Sequence, residues 1–339
     1  MLGTGDWYKI AVDKEGVYKI NYDMLKKLGL DPSKVIPSNI HLYGNEGGML
    51  PQANATPRPN DLQEIAIMIV GEEDAKFDKS DYILFYAQSA HASRLNATRG
   101  VYHYEKNLYA DNNFYFLTLS AAAGKRIAVV PDQGTGGLVT TFDDFVYHEV
   151  DDYNELKSGR DWFGERFDVN PVQTFEFSLP GIVPGTATLV SDVMGQTYSS
   201  AFFDVFVDNV KVQTQNIPII TSAKYDYKGA DKRDTIAVNL AAAPSPLRIK
   251  YQFNKGAAGR SIGFLDYFLF SFRRTLALYG DQTIFSSIES LQNATSKFQV
   301  AGVSSDAMVW DITDHYNVNR QQGSVAGSNF TFSNRPPAR

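Results

Sequence analysis

The segment Ala201-Phe202-Phe203-Asp204-Val205-Phe206-Val207, followed by Asp208-Asn209 and then Val210-Lys211-Val212, shows the pattern that most restricts how this chain can fold. Side chains on a strand alternate between two faces. A short stretch of period two, ended by a turn pair and resumed at once, therefore reads as a β-hairpin. The pattern recurs at Thr174 to Ser178, Thr186 to Val193, Thr235 to Leu240, Leu247 to Phe253 and Phe264 to Leu278. Strands at roughly ten-residue spacing with turns between them predict an antiparallel sandwich, most simply a jelly roll. Gln282 to Ile288, Phe298 to Val300 and Met308 to Ile312 read as its closing strands.

The stretch before it is also rich in strands. Trp7 to Val12 and Val17 to Ile20 alternate around Asp13-Lys14-Glu15-Gly16, which predicts a hairpin. Asn21 is placed to cap a short helix, Tyr22 to Leu28, with Gly29 as its stop. Strands are expected at Ile40 to Tyr43, Leu62 to Val70, Asp81 to Tyr86, Asn113 to Leu119 and Arg126 to Val130. The glycine run Gly134-Thr135-Gly136-Gly137 is the best linker. The expectation is an all-β, mainly antiparallel chain. Residues 1–137 form a β-rich domain with one helix, 138–325 a jelly-roll-like sandwich, and 326–339 a tail or the start of a linker.

Composition narrows function. The chain has 339 residues, a net charge of −6 and no cysteine. Without cysteine it has no thiol nucleophile, disulfide framework or cysteine-ligated zinc. No basic stripe is present to neutralise phosphates, so nucleic acid is not an expected partner. No apolar run approaches the roughly 18 residues that span a bilayer as a helix. The first residues lack the charged and apolar regions of a signal peptide, which reads as a cytosolic start or a chain whose signal has been removed.

No constellation carries chemistry. The five histidines, His41, His91, His103, His148 and His315, show no metal-ligand spacing, and the glycine runs lack the Lys-Ser/Thr of a phosphate loop. Asp143-Asp144 and Asp151-Asp152 could lend carboxylates to a structural calcium, although no EF-hand spacing is present. The 19 Tyr and three Trp residues permit a sugar-stacking face, but fill sandwich cores in the simpler reading. No catalytic, cofactor-binding or metal-ligating residue is assigned.

At the entry to the second strand-rich region lies Ser158-Gly159-Arg160-Asp161-Trp162-Phe163-Gly164-Glu165-Arg166-Phe167, which has neither strand nor helix period. Arg160 is expected to pair with Asp161 or Glu165, and Trp162 to pack over the glycines as a buried aromatic. Arg160, Trp162 and Glu165, with Trp310, are the candidate interdomain or docking residues, since Trp and Arg are common interface anchors.

Several motifs, in order, resemble one family. They are Gly5-Asp6-Trp7-Tyr8-Lys9-Ile10 with Gly16 to Ile20, Tyr43-Gly44-Asn45 with Gly48 to Pro51, and Asp61 to Glu64. Asp81 to Tyr86, Asn113 to Thr118, the decapeptide and Val309-Trp310-Asp311-Ile312-Thr313 continue the series. Together they resemble the type IX secretion sortases of the PorU family, gingipain-like cysteine peptidases. The resemblance implies an exported protein at the cell surface or outer membrane, whose relatives remove C-terminal sorting domains from secreted cargo and are thought to attach that cargo to surface lipopolysaccharide. It also implies that the Cys–His peptidase domain lies outside this chain, which would be a non-catalytic scaffold. The implied partners are that peptidase domain, secreted cargo and other secretion components. The alternative is a carbohydrate-binding or adhesin-like surface sandwich.

Overall fold

The computed structural model describes residues 2–257 and 259–335, and the fold is almost entirely antiparallel β. Its centre is a two-sheet sandwich of eight strands: Thr141–Glu149, Val172–Phe177, Gly185–Thr197, Ala201–Val207, Val210–Ile217, Ala230–Leu240, Leu247–Asn254 and Ser261–Thr275. Counted in chain order, one sheet runs first, eighth, third, sixth and the other second, seventh, fourth, fifth. That order is the double Greek key of a jelly roll, as expected. The two-residue strand Arg166–Phe167 pairs beside the eighth strand and extends the first sheet.

The alternation of Ala201–Val207 does what the sequence asks of it. Phe203, Val205 and Val207 enter the core while Asp204 faces out. Asp208 and Asn209 both take positive φ, the conformation a two-residue hairpin turn demands. Phe203, Tyr251, Phe268 and Phe270 are fully buried between the sheets. One polar group set lies among them and is mutually satisfied. The Tyr251 hydroxyl donates to Ser191 Oγ at 2.8 Å, and Ser191 Oγ donates to Gln215 Oε1 at 2.7 Å.

The first block holds two small sheets around Val12, Ile20, Leu25, Ile67, Phe85 and Tyr115. The helix Tyr22–Lys27 forms where expected, with Asn21 Oδ1 accepting from Met24 N at 3.0 Å. The expected N-terminal hairpin does not form. Tyr8–Val12 pairs with Asn113–Leu119, whereas Gly16–Asn21 pairs with Tyr82–Ala87 in the other sheet. The Asp13–Glu15 turn hands the chain across the core, and burial of Val12 and Ile20 on its two sides outweighs the local turn signal. The expected strand over Leu62 to Val70 is likewise divided between the sheets, as Gln63–Glu64 and Ile67–Val70.

The expected closing strands of the sandwich lie elsewhere. Ser296–Ala301 and Val309–Asp311 belong to two further sheets, completed by Ala128–Val130, Gly137–Val139, Asn319–Gln321, Ser324–Ala326 and Asn329–Asn334. Eight strands already complete the jelly roll, and Val300, Phe330 and Phe332 bury instead against Phe142 and Leu276. Gln282 to Ile288 is irregular and acts as a stitch: Gln282 Oε1 accepts from Val17 N at 2.7 Å, and Ile288 N donates to Asp143 at 2.7 Å.

The position 137/138 falls within the strand Gly137–Val139, which runs parallel to Ser296–Phe298. A Cβ on Gly136 would sit 2.5 Å from the Thr295 carbonyl oxygen, so glycine is needed there for close approach. Of the expected tail, residues 329–334 pair with Ser296–Ala301 because Phe330 and Phe332 fill the core. Residues 336–339 lie outside those described.

Candidate functional site

The first block touches the jelly roll through the hairpin Ala92–Asn96 and Val101–Glu105, which lies over the outer face of the first sheet. On Thr141–Glu149, Val146 enters the core, while Phe145 and Tyr147 turn outward. Tyr102 stacks on Phe145 with ring centroids 4.4 Å apart, and Tyr104 meets Tyr147 at 4.2 Å. Tyr102 also donates its hydroxyl to the Asp143 carbonyl at 2.9 Å, and its backbone N–H to Ser271 Oγ at 3.1 Å.

Next to this aromatic seam is a cleft of about 220 Å³. Its floor comes from Val190, Tyr267 and Leu269 of the sheet, and its walls include Tyr104 and Tyr147. The eighth strand bulges here: Asp192 faces Tyr267 while Val193 faces Leu265, which leaves Asp266 as the extra residue. A bulge re-aims side chains. In this one, Asp266 and Tyr267 both line the cleft.

Charge in the cleft is uneven. Burial pushes the Asp266 carboxyl up to about 8, and the negative charges of Asp192, Glu149, Asp151 and Asp231 push the same way. Asp192 rises to about 6, through burial and then Asp231 and Asp234, with Arg233 pulling it down. Burial also raises Glu149, against the Tyr147 hydroxyl bonded to it and the Lys106 charge. Lys106 is paired with Asp151, and the Arg233 guanidinium lies 5.4 Å from the centre of the Tyr267 ring.

The decapeptide continues the sheet where Thr141–Glu149 stops. Gly164 N donates to Leu265 O at 2.8 Å, and Leu265 N donates to Glu165 O at 3.0 Å. A Cβ on Gly164 would come within 2.8 Å of the Val150 carbonyl oxygen. Phe163, 3% exposed, anchors a small core with Met194, Ile262 and Phe264.

Arg160, Trp162 and Glu165 share this loop, and two expectations about them need correcting. Trp162 is 41% exposed, because Phe163 takes the inward position beside it. Arg160 is exposed and forms no ion pair among the described residues, and Glu165 pairs instead with His148 inside the sandwich edge. Trp310 lies on Val309–Asp311, in a different sheet. It is half-buried, and its Nε1 is buried without a hydrogen-bond partner among the described residues. The four candidates do not form one surface.

The histidines stay apart. His41 bonds Glu64 and the Ala122 carbonyl, His148 bonds Glu165, and His315 is buried between Tyr86 and Tyr115. Asp143 accepts from Ile288 N, Asp144 pairs with Arg274 and Asp151 with Lys106. No group of three or more His, Asp or Glu is arranged for a metal among the described residues. Most of the large aromatics do fill cores, while Tyr225 and Tyr227 stand out from a loop.

The sequence reading missed the cleft residues. Asp266 carried a signal, as the lone charge in the apolar run Ile262 to Phe272. A carboxylate in such a run marks a bulge or a buried charge.

No protein-family model and no curated protein sequence matches the chain. Among solved structures, dimeric latent PorU from Porphyromonas gingivalis superposes with a TM-score of 0.81 at 19% identity, over 98% of this chain. The chain spans 30% of the length of that protein. A carbohydrate-binding module, CBM36, in complex with calcium and xylotriose gives a TM-score of only 0.23 at 12% identity, over 39% of this chain and 99% of the module, too low to carry an argument. The chain thus has the fold of a portion of PorU: a jelly roll flanked by smaller β-sheets.

Proposed function

We propose that this chain is the non-catalytic N-terminal portion of a cell-surface, gingipain-like cysteine peptidase of the PorU type, which processes the C-terminal sorting domains of type IX-secreted cargo. In that role it is a scaffold on which a peptidase domain, and through it the cargo, docks. The observation behind this reading is that 98% of the chain matches 30% of a PorU chain at a TM-score of 0.81. The order of the sequence motifs agrees with it, and the chain holds no cysteine to act as nucleophile.

The test begins with the reading frame beyond Arg339. The expected outcome is a following segment of α/β pattern that carries the Cys and His of a peptidase. Expressed separately, that segment should bind this chain and gain stability or activity from it. A downstream frame without such a segment, or peptide hydrolysis by this chain alone, would overturn the reading.

A further inference from the structure

The cleft beside the bulge combines three features that agree on one kind of ligand. Its volume of about 220 Å³ suits a single side chain or a very small molecule, below the usual range for drug-sized ligands. Its lining joins aliphatic surface, Val190 and Leu269, to the tyrosine rings of Tyr104, Tyr147 and Tyr267. Its polar side carries more carboxylate than the fold neutralises.

Those carboxylates are Glu149 and Asp266 at the cleft, with Asp192 and Asp231 close enough to repel Asp266. Of the two cations present, Lys106 is committed to Asp151. The other, Arg233, already lies over the Tyr267 ring, so the fold itself places a guanidinium on this aromatic surface. Rings and carboxylates that converge on one cavity form the cage that binds organic cations. A bare metal ion would need a ligand set that the described residues do not form.

We propose that the cleft binds an organic cation, an alkylammonium or guanidinium group. Its alkyl stem lies along Val190 and Leu269, and its charged head faces Glu149 and Asp266 among the tyrosine rings. This site is separate from the peptidase reading and stands or falls without it.

Binding should be linked to pH. A cation favours the ionised carboxylate, so entry of the ligand displaces the proton held by Asp266. The groups around Asp266 are Asp192 on the third strand, Tyr147 and Glu149 on the first with Asp151 in the loop just after it, Asp231 and Arg233 on the sixth, and Tyr267 on its own strand. From the first block come His103, Tyr104 and Lys106. Affinity should therefore rise with pH and level off above about 8.

The experiment is calorimetric or NMR titration of the full chain with n-butylguanidinium and n-butylammonium. Neutral n-butylurea, glucose and calcium chloride serve as comparisons. The expected result is saturable binding of the two organic cations only, weakened roughly 10-fold or more by Asp266→Asn or Glu149→Gln, with melting temperature showing that each variant is folded. Blocked Gly-Arg-Gly and Gly-Lys-Gly peptides distinguish the source. Tighter binding than the free cations assigns the site to a polypeptide side chain, and weaker binding to a free small molecule. Equal binding of butylurea, displacement by calcium alone, no binding of either cation, or binding unchanged in both carboxylate variants would overturn the proposal.

Discussion

His148 Nε2 lies 2.6 Å from Glu165 Oε1, and this contact ties the first strand of the jelly roll to the loop that replaces it along the sheet edge. The His148 ring stacks on Phe268 and meets Phe175 at a tilt, and the second Glu165 oxygen is buried without a hydrogen-bond partner among the described residues. Removing one member leaves the other polar and desolvated. His148→Ala and Glu165→Ala should each lower stability by about 1–3 kcal/mol. The double variant should cost less than the sum of the two, as read from denaturant unfolding of all four chains.

Trp162 and Phe163 are adjacent in sequence and opposite in environment. Phe163→Ala should cost about 3–5 kcal/mol, because it empties the small core against Met194 and Phe264. Trp162→Ala, at an exposed position, should fall within roughly 0.5 kcal/mol of the parent. Thermal melts of the two variants side by side decide this, and a reversed order would contradict the assigned burial.

Asp266 makes stability depend on pH in a defined direction. Its carboxyl is pushed up to about 8 in the folded chain, well above the ordinary aspartate value that it regains on unfolding. The folded state therefore holds a proton that the unfolded state has lost. Stability present at low pH declines as pH rises from about 4 to about 8. Asp192, raised to about 6, adds a loss of the same sign in the lower part of that window. Asp266→Asn should remove most of the decline above pH 6 and raise the melting temperature at pH 9 by on the order of 2–6 °C, more than it does at pH 5.

Tyr102 holds the hairpin to the jelly roll by its ring, its hydroxyl and its backbone. Tyr102→Ala should cost about 2–4 kcal/mol and free the hairpin tip, Thr98 to Gly100, for proteolysis. Tyr102→Phe keeps the stacking and loses only the bond to the Asp143 carbonyl, so its cost should be about 1 kcal/mol. Cleavage rates at the tip, followed by mass spectrometry, separate the two.

The jelly roll was legible because its strands carry their own alternation and turns. Asp208-Asn209 even specifies the conformation of its hairpin. What sequence reading lost were pairings decided at long range. Nothing local shows that Val12 and Ile20 enter one core from different sheets, or that Phe330 fills a core with Phe142. The cleft was missed for the same reason. Its Tyr104 and Tyr267 are more than 160 residues apart in the chain, and they meet in one cleft because the hairpin sets Tyr104 on Tyr147, which in turn lies against Tyr267 across the sheet.

His315 has a consequence for when the protein can fold. It packs between Tyr86 and Tyr115, and the Tyr316 carbonyl accepts from Ala66 N. The first block is therefore unfinished until residues near the end of the described chain arrive. A chain emerging N-terminus first, from a ribosome or a translocation pore, would carry an incomplete first core for most of its passage. Final locking of that core would come late, in one step with the last sheets, so that truncation before His315 should yield a first block open to chaperones and proteases.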